Sequence, residues 1–173
     1  MSARLDFDPI EEARRQWASR WSGAAGTMAA ATALIRAQQI VLRTVDEALR
    51  PCGLTFARYE VLALLSFTRR GELPLGKMGP RLMIHPTSVT NAVDRLEAQG
   101  LVERVPHPSD RRTTLARITE RGRALVGEAT TSVNASAFGL GALDDGQLDG
   151  LSDILRVLRR SAGDFDDDGR SSS

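Results

Sequence analysis

Residues 85–123, HPTSVTNAVDRLEAQGLVERVPHPSDRRTTLARITERGR, decide the fold, because the hydrophobic period changes twice within them. Val89, Ala92, Val93 and Leu96 recur at spacings of three, one and three, the single stripe of an amphipathic helix. Pro86 suits a first helical position and Gly100 a helix end, so the spacing predicts a helix from Pro86 to Gln99. Its other face displays Thr87, Ser88, Thr90, Asn91, Asp94 and Arg95, side chains suited to base edges and phosphates. Next come two β-branched runs, Leu101–Val105 and Thr113–Ile118, which flank Pro106-His107-Pro108-Ser109-Asp110-Arg111-Arg112 and predict a hairpin with a long basic tip. Thr119 then caps another helix, expected to run to about Ala137.

Upstream, Thr55 is placed to cap a helix through about Thr68, with Leu54 and Tyr59 positioned as a hydrophobic staple. Val61, Leu62, Leu64, Leu65 and Phe67 make that helix apolar nearly all round, which marks it as central. A short Leu75–Leu82 segment separates it from the decisive stretch. Further upstream, Asp8 and Pro9 open a short helix, and a longer one carries Leu34, Val41, Leu42, Val45 and Leu49 until Pro51 and Gly53 stop it. Residues 24–33 are almost all small, which permits close approach of another helix, read as one from a second subunit; an Ala-rich exposed turn is the competing reading. Downstream, Asp144 caps a last helix to about Arg160, and the acidic, Ser-rich tail 163–173 is read as disordered.

Composition fits that plan. In 173 residues, 42% are hydrophobic and only 5% aromatic, so the core must come from aliphatic side chains and the chain leans all-α. A lone cysteine, Cys52, excludes an internal disulfide, and one cysteine with two histidines is a thin supply for zinc. No cofactor or metal is expected. The longest charge-free stretches are too short and too polar to span a membrane, and the N-terminus lacks the apolar run of an export signal, so the chain reads as cytoplasmic. The net charge of +1 hides an excess of eleven Lys+Arg over six Asp+Glu in residues 66–125. That is the footprint of a local polyanion-binding surface. No phosphate loop, nucleophile elbow or triad stands in the sequence, and the chain is read as no enzyme.

Two short helices joined by a tight turn and followed at once by a hairpin form a winged helix-turn-helix. The second helix fits the major groove, while an arginine at the hairpin tip suits the narrow, electronegative minor groove. The same residues resemble the recognition helix, wing and following helix start of MarR-type transcriptional regulators. The elements that carry the likeness are Ser88-Val89-Thr90, Asp94-Arg95-Leu96, Gly100-Leu101-Val102, Asp110-Arg111-Arg112, Leu115, Ile118-Thr119 and Gly122. The likeness extends from about Leu34 to Leu158. It implies a mainly α fold: dimerisation helices over residues 1–50, a winged helix-turn-helix with a two-stranded wing over 51–122, and C-terminal dimerisation helices over 119–162.

By position, the resemblance implies that Pro86, Thr87, Ser88, Thr90, Asn91 and Arg95 face the major groove. Arg112 would enter the minor groove with Asp110 orienting it, and Arg111 lies beside it on the wing. Gly76, Gly79 and Pro80 depart from the family pattern, and the proline predicts a short or kinked first helix. The resemblance also implies a homodimer on double-stranded, pseudo-palindromic operator DNA, a repressor released by a small molecule. The effector would lie where dimerisation helices meet the winged domain. Arg36 and Tyr59 are the candidate side chains there, for an aromatic acid or phenol. An exposed charge or an intersubunit ion pair is the competing reading of Arg36. Two other functions compete: thiol-redox sensing through Cys52, and non-specific architectural DNA binding, against which the single lysine, Lys77, argues.

Overall fold

The structure is a computed structural model that describes residues 5–110 and 112–166. Arg111 and residues 167–173 of the tail lie outside the described residues. Two compact units are delimited, residues 1–44 and residues 45–173.

In the first unit, the Asp8 carboxylate accepts the backbone N–H groups of Ile10 and Glu11 at 2.9 and 3.5 Å, and Pro9 occupies the first position of α1 (Pro9–Arg20). This is the cap that the sequence announces. α2 (Ala25–Leu49) follows. No described side chain up to Thr44 is buried, whereas Val45 and Leu49 at the end of α2 have no exposed surface. The contrast falls at the limit between the two compact units.

In the second unit, a turn over residues 50–52 ends at Gly53, whose left-handed φ of 65° a residue with a side chain would resist. α3 (Phe56–Ser66) is the central helix, with Val61, Leu62 and Leu65 fully buried. Thr55 stands at its N-cap as expected, but its hydroxyl does not cap. Asp46 does so instead, accepting the Phe56 N–H at 2.8 Å, while the Thr55 hydroxyl accepts Arg58 Nε at 3.2 Å. Leu54 and Tyr59 are both buried, consistent with the staple.

β1 (Glu72–Pro74), a turn over 75–77 and the five-residue α4 (Met78–Leu82) come next. Pro80 is tolerated because it sits in the first turn of α4, where backbone N–H groups lack helical partners anyway. Met83, left-handed at φ 55°, makes the sharp turn into α5 (Pro86–Ala98). On α5, Val89, Ala92, Val93 and Leu96 are all buried, as their spacing requires. β2 (Val102–Pro106) and β3 (Thr114–Ile118) form the hairpin, and the two-stranded wing gains a third strand: the antiparallel order is β1-β3-β2. Arg117 of β3 binds all three together, with Glu72 of β1 at 2.8 Å and Glu103 of β2 at 3.5 Å.

Thr119 caps α6 (Glu120–Ala135), its hydroxyl accepting the Gly122 N–H at 3.0 Å and donating to the Gly100 carbonyl at 2.9 Å. Asp144 caps α7 (Asp145–Ser161) in a reciprocal box with Gln147. Beyond α7, Asp164 accepts Arg159 Nε at 3.1 Å and the Arg159 guanidinium lies 5.3 Å from the Phe165 ring centre, so Asp164 and Phe165 fold back on the helix. No helix among the described residues is long and apolar enough to cross a membrane.

Candidate nucleic-acid interface

α5 starts with a histidine cap. His85 Nδ1 accepts the Thr87 N–H at 3.2 Å, which fixes the first turn and sets Pro86, Thr87 and Ser88 on the surface. Thr90 donates its hydroxyl proton to the Pro86 carbonyl at 3.1 Å, leaving the oxygen free as an acceptor. Ser88, Asn91 and Arg95 are exposed, and their side chains make no hydrogen bond or ion pair among the described residues. A helix face with unspent donors and acceptors above a fully buried stripe is what a groove-reading helix needs.

Asp94, counted with that face in the sequence, is spent inside the protein. It and Glu97 hold the Arg104 guanidinium of β2, and Glu97 Oε1 also accepts the Arg104 backbone N–H at 3.2 Å. Partial burial works against the Arg104 charge, but the hydrogen bonds to Asp94 and Glu97 outweigh it and raise the pKa. These bonds clamp β2 to α5. The sequence did not reveal Arg104 in this role, because nothing local to β2 marks it.

The wing tip is organised by Asp110. Its Oδ1 accepts the Arg112 backbone N–H at 3.0 Å and its Oδ2 the Thr113 hydroxyl at 2.6 Å; the Thr113 N–H returns to the Asp110 carbonyl at 3.0 Å. The hydroxyl of Thr113 and then the backbone N–H of Arg112 hold the carboxyl below its ordinary value. Asp110 thus bonds the backbone that carries Arg112 rather than its guanidinium, which is exposed and has no partner among the described residues. Arg111, the tip's other arginine, lies outside the described residues.

Arg58 of α3 is a cation that the sequence reading passed over. It lines one concavity of about 510 Å³ with Arg95, Ala98 and Gln99. A second groove of about 470 Å³, walled by Cys52, Gln99, Leu101, Arg121 and α6 residues, places an arginine in the same concavity as the free thiol. The two candidate effector side chains fall in different compact units. Arg36, exposed, donates to Gln39 Oε1 at 3.1 Å. Tyr59 is buried and its hydroxyl lies 3.1 Å from that of Thr130, whose own proton goes to the Val126 carbonyl at 2.7 Å, so Tyr59 is the donor. Among the described residues no group of three or more His, Cys, Asp or Glu side chains could hold a metal ion.

Comparison with known proteins points the same way as this geometry. Residues 54–114 match the model of the MarR family. The HTH-type transcriptional regulator MhqR of Bacillus subtilis is 34% identical over 95 residues, which are 55% of this chain and 64% of that one, a little under two thirds of its length. Among solved structures, a MarR family transcriptional regulator from Streptomyces coelicolor is 54% identical with a TM-score of 0.75, over 82% of this chain and 99% of that one. A second Streptomyces coelicolor MarR family regulator, solved in complex with DNA, is 25% identical with a TM-score of 0.73, over 82% and 90% of the two chains. CouR from Rhodococcus jostii RHA1, solved bound to p-coumaroyl-CoA, is 32% identical with a TM-score of 0.62, over 72% and 87%.

Proposed function

The chain belongs to the MarR family of winged helix-turn-helix transcriptional regulators, and from that premise we propose that it is a homodimeric repressor which binds a pseudo-palindromic operator and releases it when a small aromatic acid or phenol binds. One observation carries the DNA-binding reading. The unspent face of α5, with Ser88, Asn91 and Arg95, stands beside a wing tip whose Asp110 spends both carboxylate oxygens on shaping the loop that presents Arg112. The DNA-bound relative supports the same use of the fold. In this reading Pro86, Thr87, Ser88, Thr90, Asn91 and Arg95 meet the major groove, and Arg112, with Arg111 beside it, meets the minor groove.

The dimer is supported by unpartnered apolar surface. On α7 no residue is buried, and Ile154, Val157 and Leu158, at helical spacing, are 70%, 60% and 51% exposed. Soluble monomers rarely leave such a stripe uncovered. Two-fold symmetry would set the recognition helices about 34 Å apart, one turn of duplex.

The effector class is supported by the p-coumaroyl-CoA held by CouR and by Arg36, an exposed cation able to pair with a carboxylate or phenolate. Two experiments test these readings. Competition between the regulator's own promoter region and random DNA should favour the promoter; equal affinity for both removes sequence-specific regulation. Calorimetry with salicylate-like compounds on wild type and Arg36→Ala should show binding by the first and loss in the second. Equal binding by both removes Arg36 from the site.

A further inference from the structure

α5 and the wing address neighbouring grooves, so one sugar-phosphate strand must cross the protein between them. What lies between them is the turn over residues 75–77, which packs against α5 on one side and β3 on the other. Between this turn and the wing tip runs an open cleft of about 620 Å³, lined by Pro74, Lys77, His107, Asp110, Arg112 and Thr113, among others. Lys77 is exposed, ends the turn and makes no hydrogen bond or ion pair among the described residues. It is also the only lysine of the chain. The one acidic side chain lining the cleft, Asp110, already accepts the Arg112 N–H and the Thr113 hydroxyl, and nothing ties Lys77 to it. Gly76 also lines the cleft, and apart from its chain neighbours no heavy atom lies within 4 Å of where its Cβ would stand, so a side chain there would meet open space.

We infer that this cleft is a DNA phosphate seat, with Lys77 as its cationic anchor. It grips the strand that passes between the groove read by α5 and the groove entered by the wing. The chemistry is that of a point charge: an ammonium holds phosphate oxygens without reading sequence. Lys77 therefore sets affinity and register, while Ser88, Asn91 and Arg95 are left to discriminate. The inference rests on the DNA-binding reading and adds to it a residue that contacts backbone rather than bases.

The test is the salt dependence of binding to the promoter region and to random DNA, for wild type, Lys77→Gln and Lys77→Arg. Losing one phosphate contact reduces the slope of log K against log salt by about 0.9 per protomer. Lys77→Gln should show that reduction on both DNAs, with their affinity ratio unchanged, and Lys77→Arg should restore the slope. DNA should also protect the Lys77 amine from acylation, whereas inorganic phosphate at equal ionic strength should not; protection by both would mark an anion site unrelated to duplex. A wild type that binds with a slope Lys77→Gln leaves unchanged overturns this inference alone. A wild type that binds neither DNA overturns the DNA-binding reading with it.

Discussion

Two residues of the wing have opposite charges and the same expected effect. Arg112→Ala should weaken operator binding by about 1–3 kcal/mol, the cost of one groove contact, with no loss of thermal stability, since an exposed loop tip adds nothing to the core. Asp110→Ala removes a negative charge, so simple electrostatics predicts tighter binding. The structure predicts weaker binding, because the Arg112 backbone and the Thr113 hydroxyl lose the acceptor that shapes the tip. Tighter binding by Asp110→Ala, measured by fluorescence anisotropy, would contradict the orienting role. The same bonds have a pH signature. A carboxyl whose folded pKa is depressed contributes order that is complete above its unfolded value and lost as pH falls through the folded one. The Arg112 amide resonance should therefore titrate with a midpoint below 3.8, the ordinary value for Asp110. A midpoint at or above that value would mean the Asp110 bonds are absent in solution.

At the scale of elements, Gly122 explains why the helix after the wing begins where it does. A Cβ on Gly122 would stand 2.2 Å from the Leu101 carbonyl oxygen, so α6 docks on the start of β2 only with glycine there. Gly122→Ala should lower stability by about 1–3 kcal/mol through overpacking, even though alanine is the better helix former by about 1 kcal/mol. Gly127, five residues on in α6 with nothing within 4 Å of its Cβ position, is the control and should gain stability as alanine. If denaturant unfolding shows both changes to be stabilising, the close docking is wrong. The elements that the sequence made legible are those with a long local period or a strong cap. α5 shows its buried stripe in Val89, Ala92, Val93 and Leu96, and Asp8, Thr119 and Asp144 all cap as their positions announce. What escaped is non-local. β1 is three residues ending in a proline, too short for alternation to register and tolerable only because it is an edge strand. Asp46 capping α3 from ten residues upstream, and Arg104 holding carboxylates seven and ten residues before it, depend on how the intervening turns fold, which no helical or strand period announces.

At the scale of the whole molecule, one chain offers one recognition helix and leaves the Ile154, Val157 and Leu158 stripe of α7 bare. Sedimentation at micromolar concentration should find a dimer, and Ile154→Asp combined with Val157→Asp should give a monomer with much weaker operator binding. A wild-type monomer at that concentration would contradict the assembly. A hydroxyl-radical footprint on the regulator's own promoter region shows whether two copies read one operator through paired recognition helices and wings. Two protected patches related by a two-fold axis, centred about one helical turn apart, are expected, with loss of the minor-groove part of each patch in Arg112→Ala. A single patch, or even protection along the whole fragment, would contradict it.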